Sequence, residues 1–208
     1  IYGALQLLTK GGTTLDEEKE LIAIAKKNSE RLTTIINDIM DIEKMELGKI
    51  CLNFARINLK DVILESIRIS AINAKKFEVQ VVTEEPLPDV YIHGDYTRLI
   101  QVMMNILSNA IKFSPNGGTV RIAMSATDSK VTVAISDQGP GIPKEFQPKV
   151  FDMFAQADSS SRRSYQGTGL GLSISKSIIE AHDGKIEFKT KIGEGTTFYF
   201  ELPIKQER

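Results

Sequence analysis

Between Leu15 and about Gly48, Leu21, Ala25, Asn28, Leu32, Ile35, Ile39 and Ile42 follow a strict 4-3-4-3-4-3 spacing. Its period is 3.5 residues rather than 3.6, so the stripe runs straight along a helix and requires partner helices along its length. Asp16, Glu17 and Glu18 open the segment, where acidic side chains suit the positive end of the helix dipole. Residues 1–9 supply one partner through Lys10-Gly11-Gly12-Thr13-Thr14, giving an antiparallel helical hairpin. A single hairpin leaves half the seam open, and pairing two chains into a four-helix bundle closes it, with Asn28 fixing register at some cost in stability. The competing arrangement folds the hairpin back on its own chain.

After Gly48 the patterning changes. Lys49-Ile50-Cys51-Leu52-Asn53-Phe54 alternates like a strand, residues 59–76 read as an amphipathic helix, 79–83 as a short strand and Val90-Tyr91-Ile92 as another. A helix over 95–113 carries Leu99, Met103, Ile106, Ala110 and Phe113 toward a core. Ser114-Pro115-Asn116-Gly117-Gly118 stops it, and strands at 120–124 and 131–135 form a hairpin. A helix ending near Ala181 and strands at 185–190 and 196–202 complete the chain. Strands joined by short loops, with helices between the pairs, predict an α+β fold: a two-layer α/β sandwich with helices on one face of a mixed sheet, not a doubly wound sheet. The expected division is residues 1–48 and 49–208.

Composition removes several classes. A formal net charge of -1 gives no footprint for nucleic acid or an anionic membrane. Cys51 is the only cysteine, which excludes an internal disulfide and a cysteine-built zinc site and fits a reducing compartment. No run of about 18 apolar residues predicts a membrane span. Ile1 to Leu8 reads as the end of a helix whose start lies upstream.

Three polar patterns can carry chemistry. Asn105, Asn109 and Lys112 lie at i, i+4 and i+7 beside Gln101 and Ser108 on one face of the 95–113 helix. Amide oxygens can complete the shell of a magnesium ion held mostly by phosphates and water, and the ammonium can meet a phosphate; alone, the same residues read as a solvated face. Asp137 ends a strand ahead of Gly139-Pro140-Gly141-Ile142, where a carboxylate suits an exocyclic amine such as adenine's and the glycines admit close approach; a turn capped by aspartate is the alternative. Gly167-Thr168-Gly169-Leu170-Gly171 opens a helix and offers its amides to an anion, yet it fits neither the Walker nor the dinucleotide pattern.

The order of these pieces resembles that of the sensor histidine kinases. Asn105-Ile106-Leu107-Ser108-Asn109-Ala110-Ile111-Lys112-Phe113-Ser114 is similar to their N box, and Asp137-Gln138-Gly139-Pro140-Gly141-Ile142 to their first glycine box. Phe151-Asp152-Met153-Phe154 is similar to the F box, Gly167-Thr168-Gly169-Leu170-Gly171-Leu172 to the second glycine box, and Gly193-Glu194-Gly195-Thr196-Thr197-Phe198 to the final glycine-threonine element. The resemblance implies a Bergerat-type ATP-binding domain behind a dimerisation and histidine-phosphotransfer hairpin. It implies that Asp137 reads adenine with help from Gly141 and Thr197, that Phe113 packs near the base, that Lys112 meets phosphate, and that Asn109 and Asn105 hold magnesium. Residues 143–166 would form a lid over the nucleotide, docked by Phe151 and Phe154, made mobile by Ser159-Ser160-Ser161, with Arg162 or Arg163 available to the terminal phosphate.

Related topoisomerases, mismatch-repair ATPases and chaperones carry a glutamate base four residues before the shared asparagine. Asn105 stands there in this chain and takes no proton, which favours phosphoryl transfer over hydrolysis. In the family the acceptor histidine lies in the first hairpin helix, about three helical turns before the residues that Ile1-Tyr2-Gly3-Ala4-Leu5 resembles. His93 and His182 are the only histidines, and neither falls on the hairpin. The expectation is a kinase core that binds Mg-ATP and dimerises, without autophosphorylating as it stands. The intact protein would pass phosphate to the aspartate of a response-regulator receiver domain. The resemblance further implies the cytoplasmic portion of a membrane-anchored parent, without nucleic-acid or membrane contact of its own. A chaperone-like or topoisomerase-like ATPase, or a non-catalytic scaffold that docks a receiver domain, are the rival readings.

Overall fold

The computed structural model describes residues 1–10, 14–46, 52–84, 86–156 and 168–204. The backbone falls into two compact units, Ile1–Lys49 and Ile50–Arg208.

In the first unit, helices α1 (Tyr2–Lys10) and α2 (Leu15–Glu46) pack on each other. Thr14 and Glu17 close the start of α2 reciprocally: the Thr14 amide donates to Glu17 Oε2 at 2.7 Å, and the Glu17 amide donates to Thr14 Oγ1 at 3.4 Å. The Thr14 amide and the Thr14 hydroxyl both donate to Glu17 Oε2 and hold the Glu17 carboxyl below its ordinary pKa. Along the heptad stripe Leu21, Ala25 and Ile35 are half-buried, whereas Leu32 and Ile39 are 50% and 48% exposed. The Asn28 side-chain amide donates to Ile24 O, one turn back, at 2.9 Å. α1 therefore covers only part of the stripe.

The second unit is a two-layer α/β sandwich. Five strands lie in the order β2 (Gln80–Thr83), β4 (Thr119–Ala126), β5 (Lys130–Ser136), β7 (Gly195–Pro203) and β6 (Lys185–Lys191), with β2 parallel to β4 and the other pairs antiparallel. Helices α3 (Leu59–Lys76), α4 (Tyr96–Phe113) and α5 (Gly171–Ala181) cover one face. Val131, Val133 and Ile135 of β5, with Phe198, Phe200 and Leu202 of β7, alternate toward Leu99, Met103, Ile106 and Ile174 of the helices, all buried.

The strand expected over 49–54 is corrected. Residues 49–51 lie outside the described residues, Leu52 to Phe54 form no strand, and β1 is Ala55–Asn58, paired antiparallel with β3 (Tyr91–Gly94) in a separate two-stranded sheet. Asn53 and Phe54 are held by side-chain contacts instead. The Asn53 amide donates to Asp95 Oδ2 at 2.8 Å, and Phe54 stacks on His93 with ring centroids 5.2 Å apart.

Asp95 is also the N-cap of α4, where its Oδ1 accepts from the Arg98 amide at 3.1 Å. Its own amide donates to Nε2 of His182, the C-cap of α5, while His182 Nδ1 donates to Ile178 O at 2.7 Å. Both bonds require the neutral Nδ1-protonated ring, and burial drives the His182 pKa below 6.5 despite the opposing pull of the Ile178 carbonyl, Asp95 and Asp183. The unfolded chain therefore binds the extra proton first. His182 contributes fully above about pH 6.5, and its contribution is lost as pH falls from there toward the depressed folded value. Urea unfolding of His182→Gln should show a shallower loss of stability below pH 6.5 than the parent. Parallel pH profiles would refute this assignment.

Candidate functional site

α4 presents the polar face expected of it, but its two asparagines do different things. The Asn105 side-chain NH2 donates to Gly171 O at 2.9 Å and to Ser175 Oγ at 3.1 Å, pinning the first turn of α5. A Cβ on Gly171 would stand 3.2 Å from the Asn105 side chain, so the absence of one permits the approach. Asn109, one turn on, is half-buried, and no hydrogen bond engages its amide among the described residues. Lys112 is half-buried with its Nζ 4.7 Å from the Phe113 ring centroid, and burial lowers its pKa. An anion brought to this ammonium would reverse that penalty.

Asp137 continues the inward-facing set of β5. Its Oδ1 accepts from the Gly139 amide at 2.8 Å and the Thr196 amide at 3.1 Å, while its own amide donates to Thr196 O at 2.8 Å. Oδ2 has no hydrogen-bond partner among the described residues. Burial raises the Asp137 pKa above the ordinary carboxylate range, against the lowering effect of the two amides. The loop that follows is pressed against its neighbours. A Cβ on Gly139 would meet Phe113 O at 2.9 Å, and one on Gly141, at φ +78°, would meet Lys191 O at 2.5 Å. The Ile142 amide donates to Thr190 Oγ1 at 2.9 Å.

Thr197, expected beside Asp137, lies on the opposite face of the sheet. It pairs with Ser136, their hydroxyl oxygens 2.8 Å apart, while Thr196 pairs beside Asp137. Strand alternation is the reason, since inward-facing Phe198 fixes Thr196 on its own side and Thr197 on the other. Thr196 and Thr190 thus lie beside Asp137 and the loop after it, a placement that sequence reasoning missed; counting in twos back from Phe198 and on from Phe188 would have found both.

At α5 the Leu170 amide donates to Thr168 Oγ1 at 3.2 Å, and Leu170 is fully buried. Gly169 has φ +76°, and a Cβ there would meet the Phe154 backbone at 2.7 Å, so the F-box turn rests directly on the second glycine cluster. Only Phe151 docks through its ring, 6.0 Å from Phe188 and 6.3 Å from Phe198. Phe154 is 65% exposed with φ 61°, so the expectation that its side chain docks is corrected; its backbone makes the contact. Ser159, Ser160, Ser161, Arg162, Arg163 and Gly167 lie outside the described residues.

The donor set suits a magnesium ion carried in by a nucleotide. Among the described residues no cluster of three His, Cys, Asp or Glu could hold a metal by itself. Asn109 has an amide oxygen that no described residue engages, and Asn105, its NH2 committed, has only its oxygen to offer. No helix among the described residues is long and apolar enough to cross a membrane.

Comparison with known proteins gives the family. The family described as "Histidine kinase-, DNA gyrase B-, and HSP90-like ATPase" matches residues 94–206, and "His Kinase A (phospho-acceptor) domain" matches residues 1–48. The Non-motile and phage-resistance protein of Caulobacter vibrioides is 37% identical over 86% of this chain and 22% of its own length. The circadian input-output histidine kinase CikA of Synechococcus elongatus is 34% identical over 92% of this chain and 26% of its own. The chain thus spans about a quarter of the length of these relatives. Among solved structures, the histidine kinase ThkA in complex with the response regulator TrrA superposes with TM-score 0.74 at 28% identity, covering 98% of this chain and 56% of that one. The catalytic domain of ThkA alone gives 0.64 at 32% identity, covering 73% and 97%.

Proposed function

Because the chain belongs to the sensor histidine kinases, we propose that it is the ATP-binding kinase core of a two-component sensor, with residues 1–48 as its dimerisation and phosphotransfer hairpin and 49–208 as its catalytic domain. In the parent protein the γ-phosphate passes to a histidine on the bundle and then to a receiver-domain aspartate.

The observation that carries the reading is the Asp137 carboxylate, oriented by the Gly139 and Thr196 amides at the Phe113 end of α4. Oδ2 accepts the exocyclic amine of adenine, with Gly139, Gly141 and Ile142 bringing backbone to the base and Phe113 beside it. From Phe113 back to Asn105 is about 12 Å of helix, space for a base at one end and a polyphosphate at the other. Lys112 meets the phosphates, and Gly169 and Gly171 bring backbone amides to an anion at the start of α5. Asn109, with Asn105, holds magnesium, which when bound neutralises charge developing on the phosphates. Arg162 and Arg163 are candidates for the terminal phosphate.

Asn105 also argues against the hydrolytic reading. Its side chain is a hydrogen-bond donor to Gly171 and Ser175 and holds a helix in place, whereas water activation requires a proton acceptor. His182 is buried with both ring nitrogens engaged, so it is no phosphoacceptor. The 208-residue polypeptide should therefore bind ATP by calorimetry, more tightly with magnesium, and incorporate no acid-labile phosphate. An absence of measurable ATP binding would overturn the proposal.

The open seam suits a second copy through α1 and α2, and the family likeness suits a receiver domain as the further partner. Leu32→Asp places a charge on the stripe and should weaken self-association at least about tenfold. Sedimentation showing an unchanged dimer would remove the bundle interface. We place the chain as the cytoplasmic portion of a membrane-anchored parent, making no membrane contact itself.

A further inference from the structure

We propose that Thr190 of β6 is a positioning residue for base selection: it fixes the proton of the Thr196 hydroxyl, so that the site beside Asp137 accepts an exocyclic amine and rejects a carbonyl. The inference rests on the nucleotide reading above.

Thr190 Oγ1 lies 2.9 Å from the Ile142 amide, 3.1 Å from Gly195 O and 3.0 Å from Thr196 Oγ1. A hydroxyl has one proton and two acceptor positions. The amide of Ile142 can only donate, so it takes one acceptor position; the carbonyl of Gly195 can only accept, so it takes the proton. The remaining acceptor position faces Thr196 Oγ1, which must then donate its own proton to Thr190. All three capacities of Thr190 are filled by this arrangement. Reversing the hydroxyl pair would strip Gly195 O of this bond and gain none in return.

The consequence falls on Thr196. With its proton directed at Thr190, its hydroxyl is an acceptor toward everything else, and its backbone amide is committed to Asp137 Oδ1. Asp137 Oδ2 and Thr196 Oγ1 then contribute acceptors alone. The amino group of adenine suits such a site, whereas the O6 of guanine would bring acceptor against acceptor with no proton between them. Thr190 also holds the loop that carries Gly139 and Gly141 through the Ile142 amide. One side chain thereby sets both the loop position and the hydrogen-bond polarity of the site.

Thr190→Val keeps shape and β-branching but removes the hydroxyl, and Thr190→Ser restores it. Dissociation constants for ATP and GTP should be measured by competition against a fluorescent ATP analogue, with urea unfolding of each variant. In Thr190→Val, ATP should weaken about tenfold while GTP weakens less or tightens, because the freed Thr196 hydroxyl can turn and donate to O6. Thr190→Ser should return the ATP-to-GTP ratio to that of the parent. An unchanged ratio in Thr190→Val, a parallel loss of both nucleotides, or a serine variant that behaves like valine would each overturn the inference. A parent chain that binds neither nucleotide would instead remove the nucleotide reading beneath it.

Discussion

Asp137→Asn should weaken ATP binding on the order of 30- to 100-fold without weakening the fold. The reason is that the two oxygens of Asp137 have separate duties. Oδ1 accepts from the Gly139 and Thr196 amides, and an asparagine carbonyl can do the same. Oδ2 is replaced by an NH2, which sets a donor against the donating amine of adenine; losing a charge-assisted acceptor and gaining that mismatch costs about 2–3 kcal/mol. Stability moves the other way. Burial raises the Asp137 pKa, so its ionised form costs the folded state stability at neutral pH, and a neutral side chain relieves that cost. Calorimetry with ATP and urea unfolding on the same preparations should thus show affinity lost and the unfolding midpoint equal or higher. The parent alone should also lose affinity as pH falls through the raised pKa of Asp137, a component absent from the variant. Equal ATP affinity in parent and variant would sink the adenine assignment.

The α4 face illustrates how far a sequence reaches toward a site. Asn105, Asn109 and Lys112 were legible from helical periodicity, since one helix sets their relative placement. What periodicity cannot give is the partner: Asn105 is committed to Gly171 and Ser175, sixty-six and seventy residues away, and only tertiary packing brings them to it. The same limit misplaced the threonine beside Asp137. A motif names Thr196 and Thr197 together, but strand register decides which of them shares a face with the carboxylate, and the pairing of Ile135 with Phe198 settles it for Thr196. Thr190 lies in no motif used to recognise the family here, and its role arises where three chain segments meet.

The fold followed the same division. Helices α3 and α4 and strands β4 to β7 were readable because each alternates or repeats over its own length against one core. Within the described part of the strand expected over 49–54, Asn53 and Phe54 anchor on Asp95 and His93 instead of pairing, and pairing with β3 begins at Ala55. Short strands carry too few residues for pattern alone to set their register.

Gly195→Ala should destabilise the catalytic domain by about 3 kcal/mol or more and abolish ATP binding, whereas Gly193→Ala, two residues away, should cost about 1 kcal/mol and leave binding intact. Both glycines have positive φ, at +106° and +79°, so torsional strain is common to the pair. Their surroundings differ. A Cβ on Gly193 meets nothing within 4 Å, but one on Gly195 would stand 2.1 Å from Asp137 O and 3.0 Å from Asp137 C, backbone atoms that no rotamer change can move aside. Relief requires β7 to part from the end of β5, where the Asp137 amide meets Thr196 O at 2.8 Å and the Thr196 amide meets Asp137 Oδ1 at 3.1 Å. Breaking that contact releases the carboxylate from the geometry that lets Oδ2 face a base, so stability and recognition fall together. Urea unfolding and ATP calorimetry on the two alanine variants test the point directly. If Gly195→Ala proved no more harmful than Gly193→Ala, the close approach of β7 to Asp137 would not be what holds the carboxylate in place.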